Sequence, residues 1–154
     1  MDGIKVGLAG KKDAKQLSGV FKHYKSKSAI KKRVDCYLCH NFTIVAKDKE
    51  KIAGILQWRV KEDPTAGVAE FEEIFVLENY RGKGVGSALI KYGVQSVRDY
   101  FKKIKIKPRK IFLFVGEENK TARTLYKKND FKFISAVGNL FSNARPELFY
   151  CLSF

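Results

Sequence analysis

Arg81-Gly82-Lys83-Gly84-Val85-Gly86-Ser87 concentrates three glycines and two cations where an apolar strand pattern gives way to a helical one. The strand pattern ends at Val76 and Gly86 opens the helix, so unpaired backbone amides gather at a helix N-terminus, where an anion is favoured. Gly84 and Gly86 remove side chains where the backbone must approach a pyrophosphate, while Arg81 and Lys83 add positive charge and Ser87 a hydroxyl donor. This is chemistry for holding a phosphorylated ligand. The Gly-Lys-Ser/Thr ending of a nucleotide P-loop is absent, because Val85 follows Gly84 after Lys83. A dinucleotide fold would add an acidic ribose-binding residue within repeating parallel strands, and no such pattern follows. A glycine-rich turn alone also serves tight strand-to-helix connections for steric reasons, so the loop needs its context.

Cys36-Tyr37-Leu38-Cys39-His40 matches the attachment string of c-type haem and offers three metal ligands. Haem attachment requires export, and Met1-Asp2-Gly3-Ile4-Lys5 lacks the basic-then-apolar start of a signal peptide. A zinc site wants a fourth ligand, for which His23 is the only other histidine and Asp35 a weak candidate. The expectation is no metal and no haem. Cys36, Cys39 and Cys151 are too few for a disulfide framework and are expected to be free thiols.

A length of 154 residues suits one core, and 45% hydrophobic residues argue against a disordered tail. One domain spanning residues 1–154 is expected. No apolar run reaches membrane-spanning length, so the chain reads as cytoplasmic with no membrane partner. The formal charge of +15, from 31 Lys and Arg against 16 Asp and Glu, attracts polyanions such as nucleic acid, acidic protein or a phosphorylated cofactor. Lysine-rich surfaces also simply maintain solubility, so charge does not choose among these.

The elements that must position the loop follow from periodicity. Ile4 to Ala9 reads as a strand; Ala14, Leu17, Val20, Phe21 and Tyr24 then fall on one helical face, with Asp13 as its cap. Ser28 to Leu38 is a weaker helical stretch. Asn41 to Ala46 and Lys51 to Val60 form a hairpin about Lys47-Asp48-Lys49-Glu50, and Val68 to Leu77 is the third antiparallel strand before the loop. Ser87, Ile90, Val94, Val97 and Phe101 mark a long amphipathic helix. Lys102 to Lys110 is a basic connector, Ile111 to Val115 reads as a strand buried on both faces, and a short helix starts near Asn119. Asn129-Asp130 ends that helix in the left-handed conformation, and strands Phe131 to Val137 and Glu147 to Phe154 close the chain.

Ile74-Phe75-Val76, a four-residue spacer, and Arg81-Gly82-Lys83-Gly84-Val85-Gly86-Ser87-Ala88-Leu89-Ile90 resemble the acetyl-CoA signature of the GNAT superfamily of N-acetyltransferases. Asn119 to Tyr126, followed by Phe131, looks like the second cofactor motif of that superfamily, and the element order matches from near Ile4 to the C-terminus. Asp130 stands where the family usually has glycine. The resemblance implies an α/β (α+β) fold, with a mixed, mostly antiparallel sheet of about seven strands flanked by four helices.

It also implies an acyltransferase that uses acetyl-CoA as co-substrate, without a metal, to acetylate a primary amine of a protein, peptide or small molecule. On this resemblance the backbone of Phe75 and Val76 binds the pantetheine arm and amides of Gly82, Lys83, Gly84, Val85, Gly86 and Ser87 take the pyrophosphate. Asn119 resembles a pantetheine partner and Tyr126 the acid for the departing thiolate; a tyrosine packed on the sheet is the blander account. A lysine-like amine is protonated at neutral pH, and freeing its lone pair costs roughly 4.6 kcal/mol, so a base is needed. By period-two geometry Glu70 and Glu72 share a face of their strand and Glu73 the other. Glu72 resembles the acidic position of polyamine acetyltransferases and Glu70 the base of histone acetyltransferases; either could instead merely hold a cationic substrate. The alternative is a non-catalytic CoA-binding or nucleic-acid adaptor using Lys102 to Lys110, and the aromatic tail Leu148 to Phe154 suits either a core strand or a homodimer contact.

Overall fold

The computed structural model describes residues 3–21, 26–39, 42–61, 63–141 and 145–154. Among the described residues, seven strands and four α-helices occur in the order β1 (Ile4–Leu8), α1 (Ala14–Val20), α2 (Lys27–Cys39), β2 (Phe42–Asp48), β3 (Lys51–Val60), β4 (Val68–Val76), α3 (Val85–Lys103), β5 (Lys110–Gly116), α4 (Lys120–Lys128), β6 (Lys132–Val137) and β7 (Glu147–Ser153). The sheet order is β1-β2-β3-β4-β5-β7-β6. Pairing is antiparallel in β1/β2, β2/β3, β5/β7 and β6/β7, and parallel in β4/β5. This is the mixed α/β architecture the sequence implied. Among the described residues, no helix is long and apolar enough to cross a membrane.

The chain divides into two compact units. The first comprises residues 1–59 and 73–93. Its core joins Leu17 and Val20 of α1 and Phe21 just after it to Val34 of α2 and to Val45, Ile52 and Ile55 of the sheet. β3 is buried continuously from Ile52 to Trp58, as suits a strand covered on both faces. Tyr24, expected on the α1 face, lies outside the described residues.

Asp13 holds the N-cap position of α1, as expected, but its side chain makes no hydrogen bond to that helix. It ends a single 3₁₀ turn, Lys11–Asp13, and its carboxylate accepts from the Gly10 amide at 2.9 Å and from Lys47 of β2. Burial pushes its pKa up, but these donors outweigh that and hold it below the ordinary aspartate value. Lys47 and Asp48, expected in the hairpin turn, belong to β2, with a register shift between Ala46 and Lys47. The turn is only Lys49-Glu50, with Lys49 left-handed at φ 53°.

The second unit comprises residues 60–72 and 94–154. Val97 and Phe101 of α3 are buried here, as their helical spacing predicted. Ile111, Leu113 and Val115 of β5 are buried but Phe112 and Phe114 are only half-buried, so β5 is an alternating strand rather than one buried on both faces. Aromatic bulk disguised the alternation. β6 is exposed along nearly its whole length, as an edge strand can be.

α4 ends as expected, at Asp130 with φ 67°. The Asp130 and Phe131 amides donate to Lys127 and Tyr126 carbonyls at 3.2 and 3.1 Å. A non-glycine residue there carries a steric cost, so Asp130→Gly should stabilise the fold by about 1 kcal/mol. Urea unfolding checks this, with an unchanged midpoint arguing that the aspartate is accommodated without strain.

Candidate active site

In the first unit, β4 delivers the chain to the glycine loop. The Leu77 amide donates to Ala53 of β3 at 2.9 Å, and a 3₁₀ turn, Glu78–Tyr80, follows. The Tyr80 hydroxyl bonds to Asp48 at 3.1 Å, tying this turn to the end of β2. Gly82 and Gly84 both take positive φ, 72° and 81°, where an L side chain is strained. α3 then starts at Val85, and Ala88 donates to the Gly84 carbonyl at 3.1 Å. The amides preceding Ala88 stand ahead of that ladder bond, at the positive end of a 19-residue helix.

The charged residues behave differently from one another. Arg81 folds back, its Nε donating to the Val76 carbonyl at 3.1 Å, so part of its role is to brace the strand end. Lys83 is exposed, with Nζ 6.0 Å from the centre of the Tyr80 ring. Val85 is buried and anchors the first turn of α3, while Gly86 and Ser87 are half-buried. Phe75 and Val76 are half-buried.

A residue that sequence reasoning passed over supports this strand end. A Cβ on Gly54 of β3 would lie 2.8 Å from the Phe75 carbonyl oxygen and 3.1 Å from Leu89 Cδ1 of α3. The missing side chain lets β3 approach both. A glycine within an apolar strand is the signal for such an approach, and Ala53-Gly54-Ile55 carried it.

The second unit holds the groups expected to move protons. Glu70 has a side chain only 13% exposed, with Lys61 Nζ 4.0 Å away. Glu72 is exposed. Glu73, in the first unit, pairs with Arg33 of α2 at 3.0 Å. Asn119 caps α4, its Oδ1 accepting from the Ala122 amide at 3.0 Å. Tyr126 lies on the buried face of α4, its ring 6.0 Å from Phe131 and 6.2 Å from Tyr150. Burial pushes its hydroxyl up to about 12, so it stays protonated through the neutral and mildly alkaline range.

These features agree with an independent sequence comparison. The chain matches the acetyltransferase (GNAT) family over residues 15–131. It belongs to that family. An uncharacterized N-acetyltransferase of Methanocaldococcus jannaschii is 38% identical over 65 residues, 42% of this chain and 26% of that protein. The match thus spans about a quarter of the length of that relative. A GNAT-family protein of Desulfovibrio desulfuricans has the same fold, with a TM-score of 0.80, 17% identity, and coverage of 97% of this chain and 98% of that one. So does a Salmonella typhimurium acetyltransferase-family protein solved with acetyl-CoA, with a TM-score of 0.80, 14% identity, and coverage of 99% and 94%.

Cys36 is an exposed free thiol on α2, while the Cys39 side chain, His23 and His40 lie outside what the structure describes. The helix expected over Ser28 to Leu38 extends by one residue at each end, from Lys27 to Cys39. Among the described residues, no three potential metal ligands cluster. Cys151 is a buried free thiol whose pKa burial raises against the influence of Lys110, which makes it a poor nucleophile at neutral pH.

Proposed function

We propose that residues 1–154 act as one acetyl-CoA-dependent N-acetyltransferase domain that transfers acetyl directly to a primary amine. The observation that carries this reading is the loop: two positive-φ glycines and two cations immediately before α3 form a site for the pyrophosphate of such a cofactor. Acetyl-CoA supplies an activated thioester. Phe75 and Val76 would hold the pantetheine arm by backbone groups, Gly82 to Ser87 the phosphates, and Asn119 a pantetheine amide through its Nδ2, its Oδ1 being committed to the helix cap.

The amine must lose a proton and the departing sulfur must gain one. Glu72 is our choice for the base, acting through water, because it is exposed and a solvent molecule can reach it. Glu70, mostly buried and beside Lys61, is the second candidate and suits holding an ammonium group. Tyr126 donates toward the sulfur. The acetylated amine and free thiol leave with no covalent enzyme intermediate.

Glu72→Gln should lower kcat/KM about 10²-fold at pH 7, and less at high pH where the free amine predominates. Glu70→Gln should act chiefly on KM for the amine. CoA-thiol release across pH checks both, and the reversed pattern would exchange the two roles. Exposed Lys102, Lys103, Lys105, Lys107 and Arg109 keep a second reading in view, a nucleic-acid adaptor on the same fold. Salt-dependent RNA binding without amine turnover would favour it.

A further inference from the structure

One face of the sheet in the second unit gathers aromatic rings around a candidate base. Register sets Phe112 beside Glu70, Cys151 beside Phe112, and Phe149 beside Phe114. These side chains therefore leave the sheet together, opposite the buried Ile111, Leu113, Val115 and Tyr150. The Phe114 and Phe149 rings stack at 5.1 Å, and Phe112 meets them edge-on at 6.0 and 5.7 Å. All three are only half-buried. Phe141, ahead of β7, stands edge-on to Phe114 at 6.0 Å and is 72% exposed.

The end of this face away from Glu70 is also acidic. Glu147 pairs across with Gly116 on the same side as Phe149. Burial raises its pKa, and the charge of Glu118 raises it further against the opposing effect of Arg145. Arg145 pairs with Glu118, and Glu147 adds a second carboxylate beside that pair. Half-exposed rings attract both hydrocarbon and the positive end of an ammonium.

We propose that this surface receives the acetyl acceptor, and that the acceptor is a small primary amine on an aromatic or apolar carbon skeleton. Glu70 draws the ammonium, Glu147 adds negative potential at the far end of the face, and Phe112, Phe114, Phe149 and Phe141 seat the hydrocarbon. The inference rests on the acetyltransferase reading and narrows it. Free polyamines fit poorly, since they lack a hydrocarbon face to bury and a chain with a net charge of +15 repels them at long range.

The test compares 2-phenylethylamine with ethanolamine by CoA-thiol release, and separately measures binding of each amine by equilibrium dialysis with and without CoA. Wild type should prefer 2-phenylethylamine by about 10-fold or more in kcat/KM, from the apolar area buried. Phe141→Ser, at an exposed position where folding is not at stake, should lower that ratio about 3-fold or more through KM. Phe149→Ser should lower it further, with circular dichroism confirming the fold. Turnover of ethanolamine or spermidine without aromatic preference, or a ratio untouched by Phe141→Ser, overturns the acceptor class and leaves the acetyltransferase reading standing. Absence of turnover with every amine removes the acetyltransferase reading instead, and dialysis still decides the surface. Preferential 2-phenylethylamine binding weakened by Phe141→Ser supports it, and no preference overturns it.

Discussion

Tyr126→Phe should lower kcat about 10²-fold while leaving acetyl-CoA affinity within a factor of two or three. The ring packs against Phe131 and Tyr150, and phenylalanine keeps that packing, so stability should change by less than about 1 kcal/mol. Loss of rate without loss of fold isolates the hydroxyl. Its raised pKa, about 12 through burial, fixes the sign of the pH dependence. In the proposed mechanism the protonated form is the donor, so the wild-type rate should not fall from tyrosine ionisation anywhere between pH 7 and 10. Steady-state kinetics over that range, beside a thermal melt, test both statements. A mutant with unchanged kcat would reduce Tyr126 to a packing residue.

Gly84→Val should weaken acetyl-CoA binding by about 10- to 100-fold. At φ 81° a β-branched residue is strained, and the strain is relieved only by rotating the peptide groups whose amides face the loop. Gly84 is exposed, so the melting temperature should move by only a few degrees. Calorimetric titration of wild type and mutant reads the affinity directly. Equal affinities would show that the loop amides do not hold the cofactor.

The glycine loop and its helix were legible because their information is local. Glycine marks positive φ, the period of Ile90, Val97 and Phe101 marks a buried helix stripe, and Asn119 stands three residues before the amide it caps. β3 was likewise bounded by its own residues, Lys51 to Val60. What local pattern missed depends on partners distant in sequence. Lys47 and Asp48 look like turn residues, yet they extend β2 because Asp13 and Tyr80 meet their charges. Asp13 stands at the cap position as expected, but its side chain bonds to Lys47, 34 residues away, rather than to the helix. The identity of the base was illegible because Glu70, Glu72 and Glu73 differ in burial and in the cations beside them, not in type. The aromatic face of β5 was hidden by reading Phe112 and Phe114 as core, since hydrophobicity alone does not separate a buried ring from one lining a surface.

The most direct test of the account is release of CoA thiol when protein, acetyl-CoA and a primary amine are mixed, with mass spectrometry of the amine. The account predicts amine-dependent release matched by one acetyl group gained per thiol freed. Acetyl-CoA that binds but releases no more thiol with amine than without it would contradict an acetyltransferase and leave a CoA-binding module in its place.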